Sequence, residues 1–502
     1  MQMVLKSIFG KIMIVLALIA ILLPINANAV IKPGSLCSKK GLVQIYGGKK
    51  FTCILKNRKL VWNAGVQITA PTPKPTATAT STPTPSPSNS VSPAPTSSAT
   101  PSPSASASSL PTPTAAPISY MPPSEPSDNI ELCKMIEASQ RRGFTWAGFP
   151  RLEPLTTKTG TVKWALIPID FEDLPGEKDF RSRVDEQMKL VSEWFAIASD
   201  GKFKVEWVVA KDWIRLPGVS SDYPVAKTTG VNNTPGGVKL FKTAMAAADP
   251  QFDFTNVQTV NFLLPLNQNI ANEGEQGFPW DQHVKDVVTN EGKISSFTIP
   301  GKYQTWPDHP FWSYWIHEFG HAIGLPHVGG NSGPLPPFNP WEIMGGQDGP
   351  AKELSGWVRF LSGWMGDERV YCKDASKVNK VEVTLVPLSN SDSGVKLAMF
   401  PISSTKALMI ESRRVTKFSC TTPTPRNGVL VYLMDLTLGH GQDFLVPISP
   451  AGRGSEERAT CNGTLSVSSP NPLLGAGDKV TYGGLTVEIL NHSNFDRVVV
   501  TR

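Results

Sequence analysis

Between Thr69 and Ser127 the chain is almost wholly Pro, Thr, Ser and Ala, as in Pro71-Thr72-Pro73-Lys74-Pro75 and Pro101-Ser102-Pro103-Ser104. Such a stretch holds too little apolar side chain to bury a core, and its prolines favour extended polyproline II spacing. Its Ser/Thr-Pro content is that of O-glycosylated stalks. It divides the 502 residues into a short N-terminal piece and a long C-terminal one, so more than one folded unit is expected. The expected boundaries are a leader at 1–29, a small module at 30–65, a disordered linker at 66–127, a larger mixed domain at 128–372 and a β-rich domain at 373–502.

The N-terminus carries Lys6 and Lys11, the apolar run Ile12 to Leu23, then Pro24 and the small-residue site Ala27-Asn28-Ala29. This is the pattern of a secretory signal cut after Ala29. The apolar run falls short of the ~20 residues that cross a bilayer, and no second long one follows. A secreted, extracellular chain without stable membrane insertion is therefore expected. In an exported protein, six cysteines with no CxxC pair point to disulfides rather than a cysteine metal site. Cys37 with Cys53 is the local pairing, closing a loop near the ~15-residue case worth about 3 kcal/mol. Cys133, Cys372, Cys420 and Cys461 leave three pairings open. Cys133 as a latency cap on a metal is the alternative to its disulfide. The formal charge of +6 comes without a dense Lys/Arg block, which argues against a nucleic-acid partner.

The N-terminal module shows Leu42 to Tyr46 and Phe51 to Leu55 around Gly47-Gly48, with a third run at Leu60 to Trp62. This predicts a disulfide-pinned β unit suited to spacing or surface attachment. It resembles short Cys-containing modules of exported actinobacterial proteins. Beyond the linker, Glu131 to Arg142 is expected to be helical and Val162 to Phe171 a buried strand. Arg183 to Ala198 has Val184, Met188, Val191, Trp194 and Phe195 at helical spacing and stops at Asp200-Gly201. Strands at Phe203 to Val209 and Val257 to Leu264 flank a helix at Val238 to Ala248. After Cys372 the runs are short and β-rich: Val381 to Val386, Leu397 to Ile402, Leu408 to Ser412, Val429 to Met434, Leu485 to Leu490 and Val498 to Val500. The expected fold is therefore an α/β (α+β) catalytic domain followed by a β-sandwich-like domain.

The stretch His317-Glu318-Phe319-Gly320-His321-Ala322-Ile323-Gly324-Leu325-Pro326-His327 carries the chemistry. Residues four apart share one face of a helix, so His317 and His321 can address one ion. Gly324 can take the left-handed conformation that ends a helix, and Pro326 forbids its continuation, so the chain can turn and present His327. Three neutral imidazoles leave a fourth tetrahedral position for water, the arrangement of a catalytic Zn2+ site. Glu318, beside the first ligand, is the candidate general base. Phe311 to Ile316 lead into the motif with an apolar face. Met344, in Trp341-Glu342-Ile343-Met344-Gly345-Gly346, can lie beneath the metal as a supporting Met-turn.

This extended HExxHxxGxxH pattern with its Met-turn resembles the metzincins, and within them the immune inhibitor A-like secreted metallopeptidases of bacteria. Supporting pieces are Ala198 to Phe203, Leu354 to Trp357 with Leu361 to Trp364, Leu408 to Arg414 and Gly428 to Asp435. The resemblance implies a zinc-dependent endopeptidase acting on protein or peptide substrates, with Ca2+ a further cation of the family. Many relatives carry an acidic third ligand where this chain has His327. Some metzincins place a Tyr two residues after the turn Met, where Gly346 stands here. That leaves Tyr303, His309 and Tyr314 as candidate oxyanion helpers. The alternative function is a non-catalytic metal-binding adhesion protein displayed through the N-terminal module. The intact Glu318 argues against it, since a scaffold has no need of a general base. A zinc hydrolase of non-peptide bonds is a third reading. Cleavage specificity is not encoded in any motif.

Overall fold

The computed structural model describes residues 33–36, 43–46, 49–56 and 59–67, and then 117–502 except 141–144, 152, 154–155, 226–234, 271–274, 278–287, 300, 302–310, 330–337, 347–352, 420–426 and 460–465. The leader segment, most of the Pro/Ser/Thr-rich stretch, Cys37, Cys420, Cys461, Tyr303 and His309 lie outside the described residues. Among those described, no helix is long and apolar enough to cross a membrane. The chain divides into two compact units, one before Ala107 and one from it onward.

The first unit is an antiparallel sheet of β1 (Val43–Tyr46), β2 (Lys49–Lys56), β3 (Lys59–Trp62) and β4 (Val66–Gln67). Phe51 and Cys53 alternate along β2 onto one face and meet Trp62 and Leu60 in a core of four side chains. A core this small needs a covalent staple, and Cys53 is disulfide-bonded.

The second unit opens with a six-stranded mixed sheet made of β5 (Gly160–Asp170), β6 (Phe203–Val209), β7 (Ile214–Arg215), β8 (Val257–Leu263), β9 (Glu275–Gly277) and β10 (Ser296–Ile299). The order is β6-β5-β8-β10-β9, with β7 also beside β5. All pairings are parallel except β9 with β10. Parallel neighbours need crossovers, and helix α1 (Arg181–Ala198) lies in that from β5 to β6, while α2 (Pro235–Ala248) connects β7 to β8. Central strand β5 reads as a continuous apolar run because both its faces are covered. Val162, Trp164 and Leu166 face the layer of α1, while Ala165, Ile167 and Ile169 face that of α2. Asp200 and Gly201 end the α1 crossover with positive φ of 50° and 77°.

After helix α3 (Phe311–Ala322) and the short α4 (Gly356–Ser362) the chain becomes β-rich. One sheet comprises β11 (Val370–Cys372), β13 (Leu397–Pro401), β14 (Lys406–Arg413), β15 (Gly428–Asp435), β16 (Leu445–Pro447) and β19 (Leu473–Leu474). A second joins β12 (Lys380–Leu385), β20 (Lys479–Tyr482), β21 (Leu485–His492) and β22 (Asp496–Thr501), while β17 (Ser455–Ala459) and β18 (Ser466–Pro470) form a hairpin. The two larger sheets share a core through Ala398, Phe400, Leu408, Ile410, Val487 and Val498. The other face of the first sheet, with Leu397, Met399, Met409 and Tyr432, belongs to the same core as α1, α3 and α4. The β-rich tail is thus packed directly behind the motif helix.

Two segments differ from the sequence expectation. The helix expected at Glu131 to Arg142 is only a 3-10 turn, Ile130–Cys133. Its backbone donors go to tertiary partners instead, Ala138 N–H to the Leu436 carbonyl at 2.8 Å, while the Met135 carbonyl accepts from Phe149 N–H. Helix propensity of a few tenths of a kcal/mol per residue yields to such pairing. The turn is pinned by the disulfide Cys133–Cys372, which rules out Cys133 as a metal cap. Residues 117–127, the end of the Pro/Ser/Thr-rich stretch, lie along the β-rich sheets. Ile118 exchanges two hydrogen bonds with the side chain of Asn494, and Tyr120 accepts from Val395 N–H and packs edge-on against Phe495.

Candidate active site

Helix α3 is amphipathic in an unusual sense: one side is aromatic and the other holds histidines. Trp315 and Phe319 meet the sheet through Trp207 and Trp164, with ring centroids 5.1 and 4.3 Å apart, and Phe203 stacks on Phe319. Burying side chains of this size contributes about 2–3 kcal/mol each and fixes the helix against the sheet. Gln187 of α1 accepts from Trp312 N–H and caps the start of α3. Tyr314 donates to the Ile299 carbonyl at 3.2 Å and is fully buried. It ties the helix to β10, a structural task that removes it from the oxyanion candidates.

The helix ends as the sequence dictates. Gly324 has φ 89°, its N–H bonds to the His321 carbonyl, and Leu325 N–H bonds to the Gly320 carbonyl at 2.8 Å. This pair of bonds around a left-handed residue is a Schellman cap. It swings the chain back so that His327 joins His317 and His321. One nitrogen of each of the three rings lies within 4.8 Å of the others, and no other group of three or more His, Cys, Asp or Glu among the described residues is so placed.

Hydrogen bonding fixes which nitrogens face the common point. A carbonyl only accepts, so His317 Nδ1 must donate to Ile343 O at 2.7 Å and His321 Nδ1 to Leu325 O at 3.2 Å. Both rings then carry their lone pair on Nε2. His317 Nε2 and His327 Nε2 stand 3.1 Å apart. Two nitrogens bound tetrahedrally at 2.0–2.1 Å to one ion would be ~3.3 Å apart, so the spacing fits zinc. The electrostatics agree: burial first, then the neighbouring His327 and His317 rings, push the His321 pKa well below its ordinary value. Burial, followed by His317 and His440, pushes that of His327 down to about 3. His321 and His327 are therefore neutral, lone-pair donors at physiological pH, which is what a divalent cation requires. Glu318 follows His317 on the helix and is half-buried, where His317 and Phe319 on either side of it are buried.

Met344 is buried beneath the set. A Cβ placed on Gly320 would lie 2.5 Å from Met344 Sδ, so the glycine between the two helical histidines makes room for the thioether. The turn is closed by Gly345 N–H and Gly346 N–H bonding to the Glu342 carbonyl, and Met344 O accepts from Val328 N–H next to His327. A side chain at Gly346 would collide with the Asn339 amide, with Cβ at 1.7 Å from Oδ1, which explains why no tyrosine stands there.

Sequence reasoning missed two groups. The first is His440, in Gly439-His440-Gly441 after β15, whose ring stacks on His327 at 5.2 Å and lies 6.0 Å from His321. Its Nδ1 accepts from His327 N–H at 3.2 Å, so neutral His440 carries its proton on Nε2, and Thr145 Oγ1 donates to the same Nδ1 at 2.5 Å. Burial lowers its pKa. The available signal was a glycine-flanked histidine in a chain with only seven. The second is a buried charge network behind the Met-turn. Arg413 of β14 pairs with Glu411 at 2.5 Å and Glu353 at 3.2 Å. Glu411 also accepts from Gly356 N–H and Tyr432 Oη. Glu353 O accepts from Ile343 N–H, and Ile343 O holds His317. Glu342 accepts from Ser355 N–H at 2.5 Å, and burial raises its pKa to about 7.

No protein-family model matches this sequence, and no curated protein does. Among solved structures, wild-type OgpA from Akkermansia muciniphila is 11% identical, with 64% of this chain and 94% of that chain covered and a TM-score of 0.24. Catalytically inactive OgpA from the same organism, in complex with an O-glycopeptide (glycodrosocin) substrate, is 10% identical, with 66% and 96% covered and a TM-score of 0.25. Likenesses this weak carry no argument about fold or activity, and the case for function rests on the geometry of the site.

Proposed function

We propose that this chain is an exported zinc-dependent peptidase of the metzincin kind, with His317, His321 and His327 as metal ligands and Glu318 as general base. The observation that carries the reading is the convergence of three imidazoles on one point, two with their tautomer set by backbone carbonyls, and Glu318 is adjacent in sequence to the first of them. A zinc ion there would supply a Lewis acid for the scissile carbonyl and acidify its water toward pKa ~7. The chain's own groups do the rest. Glu318 takes a proton from the attacking water and returns it to the leaving amine. His440, with its proton on Nε2 and its ring against the ligand set, donates to the oxygen of the carbonyl under attack, in the role that Gly346 cannot fill. Met344 and the Ile343 carbonyl keep His317 in orientation.

The test is casein digestion by the purified protein, with and without a chelator, beside Glu318→Ala. Digestion by the wild type, lost with the chelator and reduced at least a hundredfold in the variant, is expected. Equal digestion by wild type and variant would refute the mechanism. Zinc binding at one equivalent with no digestion by either would favour the adhesion reading.

A further inference from the structure

The whole-chain charge of +6 conceals a division. Eight Lys and Arg residues fall between Lys32 and Lys59, with no Asp or Glu from Val30 to Gln67. That stretch alone is +8, so everything else sums to −2. The separate N-terminal unit is therefore a cationic body joined by a nearly uncharged stretch to a slightly acidic one, and the charge is not evenly spread as its sequence-wide total suggests.

The structure shows what this body presents. Side chains alternate along β2, so the face opposite Phe51 and Cys53 carries Ile54 and Lys56, paired across the ladder with Val61 and Lys59. Lys56 and Lys59 are both exposed and directly opposite each other. Like charges in that position destabilise a sheet, and an anionic partner removes the cost. Large aliphatic side chains are exposed on that face, Leu36 at 74%, Val66 at 65% and Ile54 at 38%, and Leu55 at 58% is exposed at the end of the other. Among the described residues of this unit, four large aliphatic side chains stand exposed, and its core of four side chains holds one aliphatic, Leu60. Lysines alone would suit any polyanion. Lysines among exposed aliphatics match the boundary of an anionic bilayer, where cations meet headgroups and aliphatic tips enter the acyl region.

We infer that the N-terminal module, residues 30–67, docks on a lipid bilayer rich in anionic headgroups and tethers the rest of the chain to it. The inference is independent of the proposed peptidase activity. Residues 68–116 join it to the rest of the chain.

The test is co-sedimentation of the mature chain, residues 30–502, with vesicles of phosphatidylcholine containing 30% phosphatidylglycerol and with pure phosphatidylcholine vesicles. Binding to the anionic vesicles only, weakened at 0.5 M NaCl, is expected. The Lys56→Gln/Lys59→Gln variant should bind about thirtyfold more weakly, each lysine near an anionic surface contributing about a factor of five. It relieves the like-charge pair and so should not unfold the module. Ile54→Ser/Val66→Ser should also weaken binding, and deletion of 30–67 should abolish it. Glu318→Ala should bind as the wild type does, which separates failure here from failure of the peptidase reading. Equal binding to both vesicle types, retention after deletion of 30–67, or binding to soluble polyphosphate but not to vesicles would each overturn the inference.

Discussion

Arg413→Met tests whether the β-rich tail supports the three-histidine site. Arg413 is 3% exposed and Glu411 0%, with Glu353 at 5%. Burial opposes the charge on Arg413, yet Glu411 and Glu353 more than offset it and hold its pKa above the arginine range. Methionine fills much of the same volume but strands two buried carboxylates, with Arg359 as the remaining nearby cation. Breaking a buried pair by removing one partner costs about 3–5 kcal/mol. For a unit of this size each kcal/mol moves Tm by about 2 °C, so a fall of about 6–10 °C is expected. The loss should reach the metal, because Glu353 O holds Ile343 N–H and Ile343 O holds His317 Nδ1. Groups that orient a ligand are worth 10–100-fold in metal affinity, and for one set further back about tenfold is the expectation. Thermal melts with and without zinc, and competition with a chromogenic chelator, measure the two effects, and Arg413→Lys should restore part of both. A Tm within 2 °C of wild type with unchanged zinc affinity would refute the coupling.

Two further perturbations address the site. The pKa of Glu342, raised by burial to about 7, means the folded protein binds a proton there that the unfolded chain releases above about 4.5. Its contribution to stability therefore falls as pH rises from about 4.5 through 7, by about 3 kcal/mol in all. The Tm of the wild type minus that of Glu342→Gln should decrease across this window, and an increase would contradict the account. His440→Ala should lower kcat by about a hundredfold with KM and zinc content little changed, as for loss of an oxyanion donor. Steady-state kinetics on a soluble peptide would show otherwise if KM alone moved.

The local order of this protein is legible because it depends on near neighbours in the chain. The period of apolar residues gave α1, the buried run gave β5, and the spacing of His317, His321, Gly324 and His327 gave a helix, its cap and the convergence of three rings. Glu131 to Arg142 misled because its backbone partners, such as Leu436, are some three hundred residues distant and leave no periodic trace. His440 and Thr145 escaped for the same reason: they come from opposite ends of the folded unit and meet each other where His440 stacks on His327. Arg413, Glu353 and Glu411 look like ordinary surface charges in sequence, and only the packing of β14 behind the Met-turn buries them. The total of +6 hides the cationic stretch before Gln67, which becomes evident once the first unit is seen to be separate.

The most direct test of the central claim is anomalous diffraction at the zinc edge from crystals of the protein grown without chelator. The account predicts one peak at full occupancy within 2.0–2.1 Å of Nε2 of His317, His321 and His327, with Glu318 facing the fourth position. An ion bound elsewhere, or these three rings paired among themselves with no peak between them after zinc soaking, would contradict it.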